Sequence, residues 1–398
     1  MKKQKKVKFN DIIEKIKRVK INIVADIFKL ILFAFISLIL RPFFKKKNIW
    51  LIEENPMEAN DNGYALIEYI KNFRKDINVY YVISKNSKQI EKVKNISNII
   101  YDRSVKHWIY YLNAKVIAVT QKYANPSPAL FYVLHNLRLI SGKRIFLQHG
   151  IIKDDIKCYY YNVCKFDLFI CGAKREYDFI KEKFGYPEKN IAYTGIARFD
   201  KYNKVEERSN YILIAPTWRN WVKDNDKDIQ YFNRWNRLIN TYRLNEFLEE
   251  NNITIKFVLH QEMNRFKDII KSRFKRIQIC KNDEISYSEI LSKCLMLITD
   301  FSSVFFDIAY MKKPIIYFQF DEKEFRKKHL PEGYFSYNDD GFGDIFETEE
   351  EVINKIEQYK NKDFKMEEKY LNRVDTFFER RDEKNCERIV EKILNLDK

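Results

Sequence analysis

The sequence predicts an α/β protein with two doubly wound, Rossmann-type domains facing a cleft, and a basic helical segment that associates with membranes ahead of them. Three observations carry this expectation. From Asn48 onward, short apolar runs the length of buried strands alternate with stretches of helical period, the pattern of parallel sheets covered on both faces. The runs fall into two series, separated by the charged, turn-like stretch Lys201 to Asn210. The chain has 398 residues, 45% of them hydrophobic, too long for one ordinary domain and too apolar for a disordered one.

The first series comprises Trp50 to Ile52, Val79 to Ile83, Val116 to Val119, Arg144 to Leu147, Asp167 to Ile170 and Ile191 to Tyr193. The second comprises Tyr211 to Ile214, Ile255 to Leu259, Ile277 to Cys280, Leu295 to Thr299 and Ile315 to Phe318. The expected organisation is a basic segment over 1–48, a first domain over 49–205, a second over 206–375 and a terminal helix over 376–398. Phe364 to Leu396 is charged and helical in period, suited to packing back on a domain. No repeat of 20 to 50 residues is visible.

The formal charge of +17 is uneven. Residues 1 to 50 hold 14 Lys or Arg against Asp11, Glu14 and Asp26, a local +11 that leaves +6 for the other 348. A body so weakly basic, without a basic stripe interleaved with exposed aromatics, argues against nucleic acid as partner. Ile12, Ile16, Val19, Ile23, Ile27 and Ile31 recur at helical spacing, with Lys15, Lys17, Arg18 and Lys20 elsewhere on the helix. The stripe runs into eleven uncharged residues, Leu30 to Leu40, closed by Arg41-Pro42 and Lys45-Lys46-Lys47. Eleven is short of the roughly 20 that a spanning helix needs, and a longer window admits Asp26 and Lys29. With both flanks basic, the expectation is a peripheral helix or hairpin on the cytoplasmic leaflet, held by apolar burial and attraction to anionic lipid. No small-residue cleavage site follows the apolar run, so a signal peptide is not expected. The six cysteines form no CxxC pair and no zinc spacing, which argues for a reducing compartment and inert thiols.

In open α/β sheets ligands bind beyond the carboxyl ends of the strands, and four clusters stand there. Gln148-His149-Gly150 offers a histidine able to act as general base and a glycine that lets backbone and ligand approach; it is equally a plain turn. Ala215-Pro216-Thr217-Trp218-Arg219 offers a hydroxyl and a planar fork suited to phosphate, or merely a helix start. His260 is the first polar residue after its strand, whereas His107, His135 and His329 fall in helical or loop context and read as solvated or core histidines. Asp300-Phe301-Ser302-Ser303 leads into a helical run, where two hydroxyls join free N–H groups as an anion site or simply cap the helix. No carboxylate pair stands after a strand at metal-binding spacing, so neither metal nor cofactor is expected.

These strings resemble the CDP-glycerol glycerophosphotransferase family, the teichoic acid primases and polymerases. The resemblance rests on His149-Gly150, on Gly195-Ile196-Ala197-Arg198-Phe199-Asp200 in place of a glycine, x, proline, arginine pattern, and on Ala215 to Arg219 and Leu259-His260. Its specific part is Ile298 to Asp307 with Lys313-Pro314-Ile315-Ile316 behind it. Gln148, Gln261 and Ala197 depart from the family pattern, which has tryptophan, proline and proline there. The resemblance implies a GT-B-like fold, with the first domain on the acceptor side and the second binding the CDP-linked donor. It implies transfer of a polyol phosphate from a CDP-polyol to a hydroxyl of a lipid-linked or glycan polymer, teichoic acid or capsule, at the cytoplasmic face of the membrane, with release of CMP. In that reading His149 is the base and His260 bonds the transferring phosphate or the CMP. Asp300 orients one of these groups or a polyol hydroxyl, Thr217, Arg219, Ser302 and Ser303 hold the diphosphate, and Gly150 and Arg198 lie on the acceptor side. A GT-B glycosyltransferase using a nucleotide sugar for surface polysaccharide is the alternative.

Overall fold

The computed structural model describes residues 2–130, 134, 142–204, 208–222, 230–266, 268–280 and 287–396, with side chains from Ile23 onward other than those of residues 203, 204 and 261. The apolar stripe at Ile12, Ile16 and Val19 therefore lies outside the side chains described, and His135 lies outside the described residues.

The strands form two sheets. The first joins β1 (Ile49–Glu53), β2 (Asn78–Ile83), β3 (Asn98–Tyr101), β4 (Val116–Val119), β5 (Lys143–Phe146), β6 (Leu168–Cys171) and β7 (Ile191–Tyr193) in the order β3-β2-β1-β4-β5-β6-β7. The second joins β8 (Tyr211–Ile214), β9 (Thr254–Val258), β10 (Ile277–Cys280), β11 (Leu297–Thr299), β12 (Ile315–Phe318) and β13 (Gly343–Phe346) in the order β10-β9-β8-β11-β12-β13. Every described pairing is parallel, as in the registers Trp50↔Val116 and Leu213↔Leu297. Both sheets reverse direction after the first strand of their series, the doubly wound order in which ligands sit beyond the strand ends.

The central strands β1, β4, β8, β11 and β12 are buried at every position, which is why continuous apolar runs marked them in the sequence. Two strands escaped that reading, β3 and β13, and both are edge strands. With one neighbour each they need no continuous apolar run: only Ile100 is buried in Asn98–Tyr101 and only Gly343 in Gly343–Phe346.

By compactness the chain divides into one unit of Met1–Leu147 with Cys164–Phe169 and a second of Gln148–Val163 with Ile170–Lys398. The second unit holds the β8 to β13 sheet together with the loop after β5 and the 195–204 segment. Its larger cluster packs Ile151, Ile196, Phe199 and Tyr202 with Phe305, Phe306, Tyr317 and Phe378. The terminal helix Asn385–Leu394 belongs to this unit, and Asp200 accepts its first N–H groups from Asn385 (2.9 Å) and Cys386 (2.8 Å). Gly195, at φ +84°, is required there: a Cβ would lie 2.0 Å from Asn385 Oδ1.

In the first unit a single helix runs from Lys2 to Lys45. Its part from Ile23 to Lys45 is, by length and composition, long and apolar enough to cross a membrane. The eleven-residue count fell short of this because Asp26 and Lys29 do not interrupt the helix. They pair with each other at 3.1 Å, and Ser127 Oγ donates to the second oxygen of Asp26 at 2.6 Å. Leu30, Phe33 and Ser37 are buried on the body of the unit, with Phe33 against Trp108 at 6.0 Å. Phe28, Ile31, Phe35, Leu38 and Ile39 are exposed.

Candidate active site

All nine residues that the sequence singled out lie in the second unit, at the ends of β5, β8, β9 and β11 or in the 195–204 segment. His149 follows β5 through Gln148, which is buried and takes a left-handed conformation at φ +63°. That turn puts the His149 side chain in the open while its main chain is held: Arg198 Nη1 donates to the His149 carbonyl at 2.8 Å. Arg198 is itself fixed by Asp307, with Nε to Oδ1 at 2.7 Å and Nη2 to Oδ2 at 2.8 Å; Tyr202 donates its hydroxyl to Oδ1 at 2.6 Å. Gly150 stands where a Cβ would come within 3.1 Å of Ser303 Oγ, so the loop and the Asp300–Ser303 segment approach closely.

Beyond this turn the loop is anchored by Glu176, fully buried, which accepts Ile152 N–H and Gly172 N–H, each at 2.6 Å. Burial raises its carboxyl to about 7. Lys153 follows, buried, pushed down by burial and paired with Asp154, whose other oxygen accepts Arg326 Nη1 at 2.6 Å.

At the ends of β8 and β11 the structure differs from the expectation that Arg219 meets the donor's diphosphate. The guanidinium is buried and spends its five donors inside the protein. Nε and Nη2 bind Asp321 at 2.8 and 2.9 Å, Nη2 binds Asp300 at 2.7 Å, and Nη1 reaches the carbonyls of Thr217 (2.7 Å) and Trp218 (3.4 Å). Asp300, equally buried, also accepts Thr217 N–H at 2.7 Å and Phe301 N–H at 2.6 Å. With these bonds its carboxylate holds the strand ends together and is not presented to a polyol hydroxyl. Thr217 Oγ1, by contrast, is buried with no hydrogen-bond partner among the described residues. Ser302 and Ser303 are half-buried ahead of the short helix Phe305–Tyr310, and no side chain caps that helix, so capping does not account for them.

His260, just past β9, is exposed at the surface of a crowded recess. Its ring lies nearly parallel to Trp218, centroids 6.2 Å apart, and Nδ1 accepts Glu262 N–H at 3.2 Å. Protein on most sides of the ring, then the repulsion that a protonated ring would meet from His149 and His329 if they too were protonated, lowers it to about 4, so His260 is neutral at physiological pH. His149 and His260 are therefore near neighbours electrostatically. His329, read from sequence as solvated or core, also reaches this place, with its ring edge-on to Trp218 at 4.6 Å. Among the described residues no group of three or more His, Cys, Asp or Glu is placed to hold a metal ion.

Glu176, Lys153, Asp307, Arg326 and His329 were missed by sequence reasoning. Asp307 alone carried a signal, as the last residue of the Ile298 to Asp307 string. The others sit in loops or helices with no pattern pointing to the strand ends.

Two parallel Rossmann-like domains with a histidine- and hydroxyl-lined site at the strand ends define a GT-B-like α/β protein. The fold matches a histidine-to-alanine variant of the wall teichoic acid polymerase TagF at a TM-score of 0.68 and 17% identity, over 93% of this chain and 98% of that one. The chain belongs to the CDP-glycerol:poly(glycerophosphate) glycerophosphotransferase family, whose pattern matches residues 32–395. It is similar to the minor teichoic acid biosynthesis protein GgaB of Bacillus subtilis (strain 168), 34% identical over 374 residues, 89% of this chain and 40% of that protein. A teichoic acid poly(glycerol phosphate) polymerase of Bacillus spizizenii is 27% identical over 218 residues, 53% of this chain and 52% of that protein. The chain thus spans about half or less of the length of these curated relatives.

Proposed function

We propose that this protein transfers glycerol phosphate from CDP-glycerol to a hydroxyl of a membrane-linked cell-surface polymer of the teichoic acid or capsule type, releasing CMP. The observation that carries the reading is His149, its side chain open while its carbonyl is clamped by the Arg198–Asp307 pair and neutral His260 stands nearby. His149 takes the proton of the acceptor hydroxyl, whose oxygen attacks the phosphorus bearing the polyol. A phosphodiester forms, the bond from that phosphorus to the oxygen of CMP breaks, and CMP leaves. Such chemistry asks the protein mainly for positioning and charge stabilisation. His260, with Nδ1 occupied by Glu262 N–H, presents Nε2–H to the transferring phosphate or the departing CMP. The hydroxyls of Thr217, Ser302 and Ser303 bond the diphosphate, and Gly150 leaves room for the acceptor. Asp300, Arg219 and Arg198 act as positioning residues. In this reading residues 49–205 form the acceptor side and 206–375 the donor side, with a basic segment over 1–48 and a terminal helix over 376–398.

Ribitol phosphate is the second donor to test, since the ribitol-phosphate polymerase TarL of Staphylococcus aureus is 26% identical over 237 residues.

The exposed apolar face of the first helix supports peripheral attachment at the cytoplasmic face of the membrane. Its buried face is occupied by the unit's own body, and Arg41, Lys45, Lys46 and Lys47 follow the apolar stretch, suited to anionic lipid.

The test is nucleotide release from CDP-glycerol, CDP-ribitol, UDP-sugars and GDP-sugars, offered with membranes or a polyol-phosphate acceptor. CMP from one CDP-polyol, reduced about 10²- to 10⁴-fold in His149→Ala while CDP still binds, is the expected result. UDP or GDP release in place of CMP would overturn the reading in favour of a glycosyltransferase.

A further inference from the structure

His329 repeats the arrangement of His260 without having been marked by any motif. It ends the helix Glu322–Lys328, its ring stacked on Phe325 (4.8 Å) and edge-on to Trp218 (4.6 Å), the same indole that faces His260. Its Nδ1 accepts Asn220 N–H at 3.2 Å, just as that of His260 accepts Glu262 N–H. A neutral imidazole whose Nδ1 lone pair is taken carries its proton on Nε2. Burial, then the charge of Arg219, holds the ring neutral, lowered to about 4. Two loops therefore lock two histidines in one tautomer against one tryptophan, each with an Nε2–H donor.

The polar groups around them are donors too. The carboxylates of Asp154, Asp300 and Asp321 are engaged by Lys153 and Arg326 or by Arg219. The hydroxyls of Thr217, Ser302 and Ser303 lie on the neighbouring strand ends. An array rich in donors, with its carboxylates occupied, fits a ligand made of acceptor oxygens.

We propose that His329 is a further substrate-contacting residue, whose Nε2–H bonds a phosphate oxygen of the nucleoside diphosphate donor beside His260. The inference rests on the CDP-polyol reading above and adds to it a group that neither the strand ends nor the family strings pointed to.

Isosteric variants of the full chain test it, because glutamine places its amide nitrogen near Nε2 of histidine and asparagine near Nδ1. His329→Gln is expected to keep kcat/KM for CDP-glycerol or CDP-ribitol within about threefold, and His329→Asn to lose about 10- to 100-fold, the effect of one hydrogen bond to a charged group. Binding of CDP alone, followed by its elevation of Tm, should weaken in parallel. If the unaltered protein releases CMP from neither donor, the CDP-polyol reading fails, whatever His329 does. If it releases CMP and His329→Asn matches it in turnover and CDP binding, the role of His329 is overturned. Equal losses in the two variants overturn it as well, whether Tm is unchanged or lowered in both, since the effect then does not follow Nε2.

Discussion

Arg198 and Asp307, 109 residues apart in the chain, form a doubly bonded ion pair whose remaining guanidinium nitrogen holds the His149 carbonyl. The pair joins two of the strings in which the chain resembles its family, and its geometry says why an arginine and an aspartate stand there. A lysine has one point donor and cannot bond both carboxylate oxygens and a carbonyl in a plane. Arg198→Lys should lower kcat by about 10- to 100-fold with KM for the donor little changed, since it acts through the acceptor-side histidine. Asp307→Asn should behave alike, and the double variant should lose less than the product of the two. Additive losses would mean that the residues act separately.

Arg219 is expected to matter for folding before it matters for substrate. It is a buried cation between the carboxylates of Asp300 and Asp321. Removing it leaves two buried carboxylates without their counter-charge, which costs about 3 to 5 kcal/mol. Urea unfolding of Arg219→Ala should show that loss directly. An unchanged midpoint with a raised donor KM would return the guanidinium to the diphosphate.

A separate buried charge sits in the first unit. His107 has Glu53 at 3.1 Å and Asp102 at 3.5 Å; burial pushes its pKa down, but the two carboxylates outweigh burial and bring it up to about 9. Its folded value thus exceeds the unfolded one of about 6.5, so the stabilisation is complete below pH 6.5 and lost as pH rises through 9. Unfolding free energy should fall by on the order of 3 kcal/mol across that window, and His107→Gln should flatten the slope. Glu54 and Glu176, both raised to about 7 by burial, act lower, removing stability between about pH 4.5 and 7. A neutral ring accepting Arg103 N–H at Nδ1, 3.0 Å away, would give no slope above pH 7.

Membrane attachment should depend on the outward face of the first helix and not on its inward face. Replacing Phe28, Ile31 and Phe35 by serine removes three exposed apolar side chains, and flotation with anionic vesicles should fall by at least about 100-fold. The same substitutions leave Leu30 and Phe33 in place, so Tm should hold. Flotation unaffected by the three changes would remove this face from membrane contact.

Much of this molecule was determined by its sequence alone. Parallel strands buried on both faces need unbroken apolar runs, so the central strands of both sheets stood out, and with them the strand-end positions of His149, His260, Asp300 and Ser302. The edge strands β3 and β13 did not, because one neighbour and a half-exposed face relax that demand. The tertiary structure decided how each polar group is used. A fork that binds phosphate and one that binds two buried aspartates read identically as Arg219, and only burial separates them. Asp307, Glu176 and His329 acquire their partners by long-range contact, from Arg198 109 residues away to the loop amide of Asn220 opposite His329. Local pattern records which face of a strand or helix is apolar. It does not record which distant groups the fold brings within 3 Å of one another.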